Sequence, residues 1–378
     1  MTPRAPRRKI LCIFGTRPEA VKLAPVVRAL RRSPSFSVQV CVTAQHRRML
    51  DQVLEAFAIR PDFDLDLMRP AQSLSGLTAA VLRALDPVLA RVRPDWALVQ
   101  GDTTTTLTAA LAAFYHKVPV AHVEAGLRTG DLGRPWPEEL NRRLVGTIAS
   151  LHFAPTPGAR DALRREGVPA GRIFVTGNTV VDALGLATAR LAASPSLRER
   201  MDRRLGFLDP GRRLILVTGH RQENFGAGFA GVCDALARIA RRPDVQVVYP
   251  VHLNPKVRDD VRRRLLGTPN LTLIDPLDYL SFVHLMTRAT LILTDSGGIQ
   301  EEAPALGKPV LVLRALTERP EAVRAGCARL VGVDPRRIVR ETERLLDEPA
   351  RLRAMARRRL PFGDGRAAQR IVSILARA

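Results

Sequence analysis

The stretch WALVQGDTTTTLTAALAAFYHKVPVAHVE, Trp96 to Glu124, decides the fold. It opens on a short apolar run, Trp96–Gln100, and closes on another, Val120–Glu124. Between them Thr105–His116 is long enough for a helix. Runs that are apolar throughout, rather than alternating, belong to strands buried on both faces, which a parallel sheet covered by helices provides.

The same rhythm extends outward in both directions. Toward the N-terminus the apolar runs are Ile10–Phe14 and Val38–Thr43, with helical patterns at Ala20–Arg32, Met49–Phe57 and Gly76–Arg91. Beyond Glu124 come a helical pattern at Glu138–Ser150 and apolar runs at Leu151–Ala154 and Ile173–Thr176. A second series follows: Leu214–Thr218, Val245–Val251, Leu271–Ile274, Leu291–Thr294, Val310–Leu313 and Leu330–Val333. The expectation is an α/β protein of two Rossmann-like doubly wound domains, the first over 1–180 and the second over 181–361. Residues 362–378 follow, with a final helix at Gly365–Arg377 after the turn Phe362-Gly363-Asp364-Gly365. A linker is expected near 180–212, where a long helix gives way to the charged, Pro-containing stretch Ser194–Arg213. Doubly wound sheets bind ligands at the carboxyl ends of their strands. The loops there, and a cleft between the two domains, are the places to look for function.

Composition narrows the classes. A chain of 378 residues, 46% hydrophobic and 25% charged, is that of an ordinary globular protein able to bury two cores. The apolar run behind the basic N-terminus is too short for the core of a signal peptide, and no stretch reaches the ~18 apolar residues of a membrane span. A cytoplasmic location without membrane partners is expected. Cys12, Cys41, Cys233 and Cys327 are far apart and form no CxxC pair, which predicts buried free thiols. The net charge of +22 raises nucleic acid as a partner. Only five of the 59 basic residues are lysine, however, the arginines are scattered, and three Tyr and two Trp leave few stacking platforms. No nucleic-acid partner is expected.

Four loops hold more polar groups than turns require. The first, Gly15-Thr16-Arg17-Pro18-Glu19, is followed one turn later by Lys22; a helix N-terminus with two cations is an anion site. The second, Gln100-Gly101-Asp102 with the run Thr103–Thr106, brings hydroxyls and a carboxylate, although Asp102 alone is equally a helix cap. The third runs from His122 to Asp131 and on through Pro135-Trp136-Pro137-Glu138-Glu139. Glu124 there ends an apolar strand without a packing reason, whereas Glu138 also suits a helix start. The fourth, Asp295-Ser296-Gly297-Gly298, exposes N–H groups at a helix start, a phosphate cradle, with Glu302 one turn inside to accept ribose hydroxyls. His220 and His252 each follow a predicted strand. Gly226-Ala227-Gly228-Phe229-Ala230-Gly231 fits the dinucleotide fingerprint literally, but no strand meets its first glycine and no carboxylate ends the next strand. No NAD and no other cofactor or metal is expected.

Nine motifs in order resemble the non-hydrolysing UDP-N-acetylglucosamine 2-epimerase family: FGTRPEA (14–20), TAQHR (43–47), GDTTTT (101–106), HVEAGLRTGD (122–131), PWPEE (135–139), TGNTV (176–180), YPVHLNP (249–255), TDSGGIQEEAP (294–304) and TERPEA (317–322). The resemblance implies a glycosyltransferase-B type fold with the last helix returning to the first domain. It implies acid/base carboxylates at Asp102, Glu124 and Glu138 in the first domain, and His220 at the departing phosphate. It places UDP against the second domain, with Arg17 and Lys22 reaching the diphosphate or sugar and Ser296, Gly297 and Gly298 the phosphates. Glu302 would then bind ribose, Phe282 would pack on uracil, and Arg319 would contact the nucleotide. Gln45, His46, Gln72, Glu138, Arg221 and His252 are similar to residues lining a neighbouring site where a second UDP-N-acetylglucosamine activates some members. A homodimer is implied as well. Gln222 stands where the family frequently has an arginine, Leu277 replaces a polar residue that contacts uracil, and Ala71 and Arg48 differ from activated bacterial members.

The chemistry implied is reversible inversion at C2 to give UDP-N-acetylmannosamine, feeding surface polysaccharide. No carbonyl adjoins C2, so its proton is not acidic, and elimination of UDP followed by re-addition is the route open without NAD. A hydrolysing epimerase or a glycosyltransferase of the same fold remain the alternatives at this point.

Overall fold

The computed structural model describes residues 7–44, 47–69, 72–219, 227–251 and 255–378. They form two compact units, one of residues 1–186 with 362–378 and one of 187–361.

The first unit holds seven strands: β1 (Arg8–Phe14), β2 (Phe36–Val42), β3 (Phe63–Asp64), β4 (Trp96–Gln100), β5 (Val120–Val123), β6 (Leu151–Ala154) and β7 (Ile173–Val175). They pair in the order β3-β2-β1-β4-β5-β6-β7, every pairing parallel. Leu11, Cys12, Ile13 and Phe14 of β1 are fully buried, as an apolar strand covered by helices on both faces must be. The helix Arg17–Arg32 begins at a capping box: the Thr16 hydroxyl accepts from Glu19 N–H while the Glu19 carboxylate accepts from Thr16 N–H. The terminal helix Ala367–Leu375 belongs to this unit and packs on Arg17–Arg32. Asp182 holds its start, accepting from Ala368 N–H at 2.9 Å and Ala367 N–H at 3.2 Å. Near by, Asn178 N–H donates to the Phe362 carbonyl at 2.6 Å, and Arg8 donates to the Leu375 carbonyl at 2.8 Å.

The second unit repeats the plan with β8 (Arg213–Thr218), β9 (Val245–Pro250), β10 (Leu271–Ile274), β11 (Leu291–Thr294), β12 (Val310–Val312) and β13 (Ala328–Leu330), in the order β10-β9-β8-β11-β12-β13, again all parallel. In each sheet the direction of winding reverses beside the first strand, between β1 and β4 and between β8 and β11. The crevice at such a reversal is where open α/β sheets take ligands.

Three expectations change. Residues 195–204, read as part of a linker, form a helix capped by the Ser194 hydroxyl, which accepts from Leu197 N–H. A Ser-Pro pair before charged residues is a helix start as much as a linker signal. The last strand lies at Ala328–Leu330 rather than 330–333, and β3, only two residues long, leaves too short a pattern to read. All four cysteines are buried free thiols; burial pushes Cys12, Cys41 and Cys233 up to about 12. No helix among the described residues is long and apolar enough to cross a membrane.

Candidate active site

In the first unit three loops meet at the carboxyl ends of β1, β4 and β5. Glu19, 1% exposed, ties the first two together. One of its oxygens accepts from Gly15 N–H at 3.1 Å and Thr16 N–H at 2.7 Å, the other from the Thr103 and Thr106 hydroxyls at 2.7 and 3.0 Å. Burial raises its pKa and these bonds oppose that rise. The loops also touch directly. A Cβ on Gly15 would lie 1.9 Å from the Thr43 hydroxyl and 2.8 Å from that of Thr105, so only glycine fits.

Glu124 follows β5 with φ at +65°, a left-handed conformation that costs a non-glycine residue ~1–2 kcal/mol. Its buried carboxylate gathers donors on one oxygen: Lys22 Nζ at 2.5 Å, Gln100 Nε2 at 3.0 Å and Asn178 Nδ2 at 3.2 Å. The three donors come from the helix after β1, the end of β4 and the loop after β7. Arg17 opens the helix that carries Lys22.

Asp102, after β4, is paired with Arg142, whose Nε and Nη2 both lie 2.8 Å from Asp102 Oδ2. Arg142 also donates to Glu139 at 3.0 Å, and Glu139, fully buried, accepts the Thr129 and Gly130 N–H groups at 3.1 and 3.3 Å. Glu138, half-buried, is the first residue of this helix, Glu138–Ile148. The helix therefore starts at one carboxylate and, one turn on, grips another. Asp102, Glu124 and Glu138 are set on one framework.

In the second unit Ser296 precedes the helix Gly297–Ala305 and its hydroxyl makes no cap bond. The Ser296 N–H donates to the Thr294 hydroxyl at 2.9 Å. The N–H groups of the first turn have no partner within a helix, and they carry the positive end of its dipole. Behind them lies a buried ionic chain: Arg319 donates to Glu301 at 2.8 Å and lies 3.5 Å from Glu318, which accepts from Arg314 at 2.8 Å. The Arg319 guanidinium backs the turn so closely that a Cβ on Gly297 would sit 2.9 Å from its central carbon. Glu302 accepts from the Tyr279 hydroxyl at 2.9 Å. Phe282, half-buried, lies on the helix Tyr279–Arg288 that carries Tyr279.

The family model described as UDP-N-acetylglucosamine 2-epimerase matches residues 28–376. The chain belongs to that family. The UDP-N-acetylglucosamine 2-epimerases of Yersinia pestis and Escherichia coli K12 are 59% and 57% identical to it over 368 residues, 97% of this chain and 98% of each relative. The crystal structure of the Neisseria meningitidis UDP-GlcNAc 2-epimerase bound to UDP-GlcNAc is similar at a TM-score of 0.95 and 46% identity, covering 98% of this chain and 100% of that one. The Methanocaldococcus jannaschii UDP-GlcNAc 2-epimerase in complex with UDP-GlcNAc and UDP is similar at 0.86 and 34%, with the same coverage. The fold class is thus the glycosyltransferase-B type of these epimerases.

Within the epimerase framework the predicted residues fall into three groups. The structure brings Lys22 and Glu124 into contact, and ties Asp102 through Arg142 to the helix that Glu138 begins. In the second unit, Ser296, Gly297, Gly298, Glu302 and Arg319 gather at one strand end. Gln72 precedes Ser73, the cap of the helix Leu74–Val92. Gln45, His46, His220, Arg221 and His252 lie outside the described residues, as do Ala71 and Gln222. Lys22 and Arg319, read as ligands of the diphosphate and nucleotide, have carboxylate partners that the sequence did not reveal. Sequence reasoning also passed over Glu19, Gln100, Arg142 and Asn178. Gln100 carried the same signal as Glu124, a polar residue closing an apolar strand; Asn178 lay within the TGNTV motif without a role.

Proposed function

We propose that the protein interconverts UDP-N-acetylglucosamine and UDP-N-acetylmannosamine by eliminating UDP and adding it back through 2-acetamidoglucal. The observation that carries this reading is the set Asp102, Glu124 and Glu138, three carboxylates held by neighbouring elements of one unit in a chain of this family. Inversion at C2 needs a proton removed from one face and one returned to the other, hence two positioned groups.

In the forward direction the C1–O bond to the diphosphate breaks and its electron pair leaves with UDP. The C2 proton passes to a carboxylate, and C1=C2 forms. A second group then protonates C2 on the opposite face, and the UDP oxygen re-bonds to C1. UDP stays bound meanwhile, its phosphates on the Ser296 hydroxyl and the Gly297 and Gly298 N–H groups, its ribose at Glu302, its base at Phe282 and its nucleotide near Arg319. Arg17, Lys22 and His220 supply positive or hydrogen-bonding groups for the charge that develops on the departing diphosphate. The first unit thus does the proton chemistry and the second holds UDP. The family resemblance adds a homodimer in the cytoplasm, an activator site at Gln45, His46, Gln72, Glu138, Arg221 and His252, and use of the product in surface polysaccharide.

Proton NMR of UDP-N-acetylglucosamine incubated with the protein in heavy water, without an acceptor, tests the reading. Deuterium at C2 and manno-configured nucleotide sugar are expected. A ring that stays fully protonated, with no manno signals, would overturn it.

A further inference from the structure

At the end of β4 three successive main-chain carbonyls each accept a hydrogen bond from a side chain. Gln100 O accepts from the Thr106 hydroxyl at 2.6 Å, Gly101 O from His122 Nε2 at 2.7 Å and Asp102 O from Asn141 Nδ2 at 2.8 Å. Side-chain partners on three carbonyls in a row fix the backbone that aims the Asp102 carboxylate. The middle residue is held at both of its main-chain polar groups. Gly101 has φ +77°, and its N–H donates to the Val123 carbonyl at 3.0 Å, so consecutive residues of β5 hold both of its polar groups.

His122 is 1% exposed, and its other ring nitrogen, Nδ1, has no hydrogen-bond partner among the described residues. A carbonyl only accepts, so Nε2 carries a proton. Burial, the largest cause, pushes its pKa down to about 4, which keeps it neutral in ordinary buffers. A buried polar ring with one unsatisfied nitrogen packs less well than an aromatic hydrocarbon of its size. Stability alone favours an apolar residue here; geometry favours histidine. The second sheet shows a parallel contact: from β9, the Tyr249 hydroxyl donates to the Gly219 carbonyl at 2.8 Å, just past the end of β8.

We infer that His122 is a positioning residue for the reaction: through its bond to the Gly101 carbonyl it sets the turn that points Asp102 at the substrate. The inference rests on Asp102 being one of the acid/base groups.

The test compares His122→Phe, which keeps a ring and loses the donor, with His122→Gln, which restores a donor. The Phe variant should lose ~10- to 10²-fold in kcat, the scale of a reacting group displaced by about an ångström, with KM for UDP-N-acetylglucosamine close to wild type. The Gln variant should recover most of that loss although it melts no higher than the Phe variant. Wild-type kcat in the Phe variant, or equal kcat in both variants, would overturn the inference. Asn141→Leu should show the same split between kcat and KM, so the inference stays open to refutation if the Phe variant fails to fold. Asp102→Asn run alongside separates the two claims. Full turnover there defeats the acid/base reading, whereas an inactive Asp102→Asn beside a wild-type-like His122 pair defeats the positioning role alone.

Discussion

The end of β5 and the end of β11 are both strand-end sites, built by opposite means. After β5 a side chain is held: Glu124 takes Lys22, Gln100 and Asn178 on one oxygen and accepts a left-handed backbone to be there. After β11 the side chains are withdrawn. Gly297 and Gly298 present main-chain N–H groups, and the charged residues, Arg319, Glu301 and Glu318, sit buried behind the turn. A group that transfers a proton needs its carboxylate fixed from several directions. A group that holds an anion needs bare backbone and room. Damage to the first should appear in turnover, and damage to the second in affinity.

The largest effect should come from the carboxylates. Asp102→Asn and Glu124→Gln should each cut turnover by at least ~10²-fold, the usual scale for a lost acid or base, while calorimetry still finds UDP bound. Loss of UDP affinity in step with turnover would break the contrast between the two ends. Next is Gly297→Ala. The new Cβ would displace the Arg319 guanidinium from the back of the turn, and UDP affinity should fall about tenfold, the value of one charge-assisted hydrogen bond. A dissociation constant equal to wild type would remove the turn from the binding site.

The last prediction concerns stability rather than function. His122 and its neighbour across the sheet, His152, have pKa values lowered from 6.5 to about 4, chiefly by burial, with Arg128 lowering both and His122 adding to the effect on His152. Between pH 6.5 and about 4 the unfolded chain binds protons that the folded chain refuses. Their share of stability is whole above that window and falls as pH drops through it, by ~1.4 kcal/mol for each tenfold loss of proton affinity on folding. Glu19 and Asp182, raised by burial, act in the opposite sense. Urea midpoints measured across the window should therefore fall less steeply in a His122→Gln/His152→Gln double variant than in wild type. Equal slopes would mean the histidines do not titrate as described.

How much of this was legible follows from the physics of each element. Strands buried on both faces write themselves as apolar runs, so β1, β4 and β11 read cleanly. Helix Pro195–Arg204 did not, because its few buried residues, Leu197 and Met201, sit among arginines that look like linker. The final strand was misplaced because Leu330-Val331-Gly332-Val333 stays apolar past the last paired residue, Leu330. Glu124 was legible as a charge ending an apolar strand, and Asp102 as a carboxylate in a polar strand-end loop. Their partners were not. Arg142 is 40 residues from Asp102 and Asn178 is 54 from Glu124, and those contacts exist only once β4, β5 and the helix Glu138–Ile148 have packed. The buried chain behind Gly297 was hidden for the same reason, since TERPEA shows an arginine without showing which way it faces.

The return of residues 362–378 to the first unit has a consequence for how the molecule is made. The second unit is spelled by one uninterrupted run, 187–361, whereas the first lacks the helix that covers Arg17–Arg32 until Phe362, Ala367 and Ala368 reach Asn178 and Asp182. On the ribosome the order of completion therefore inverts the order of the sequence, and the first unit waits longest with an apolar face uncovered. Chains arrested just before residue 362 should yield a protease-resistant second unit while the first is still cleaved.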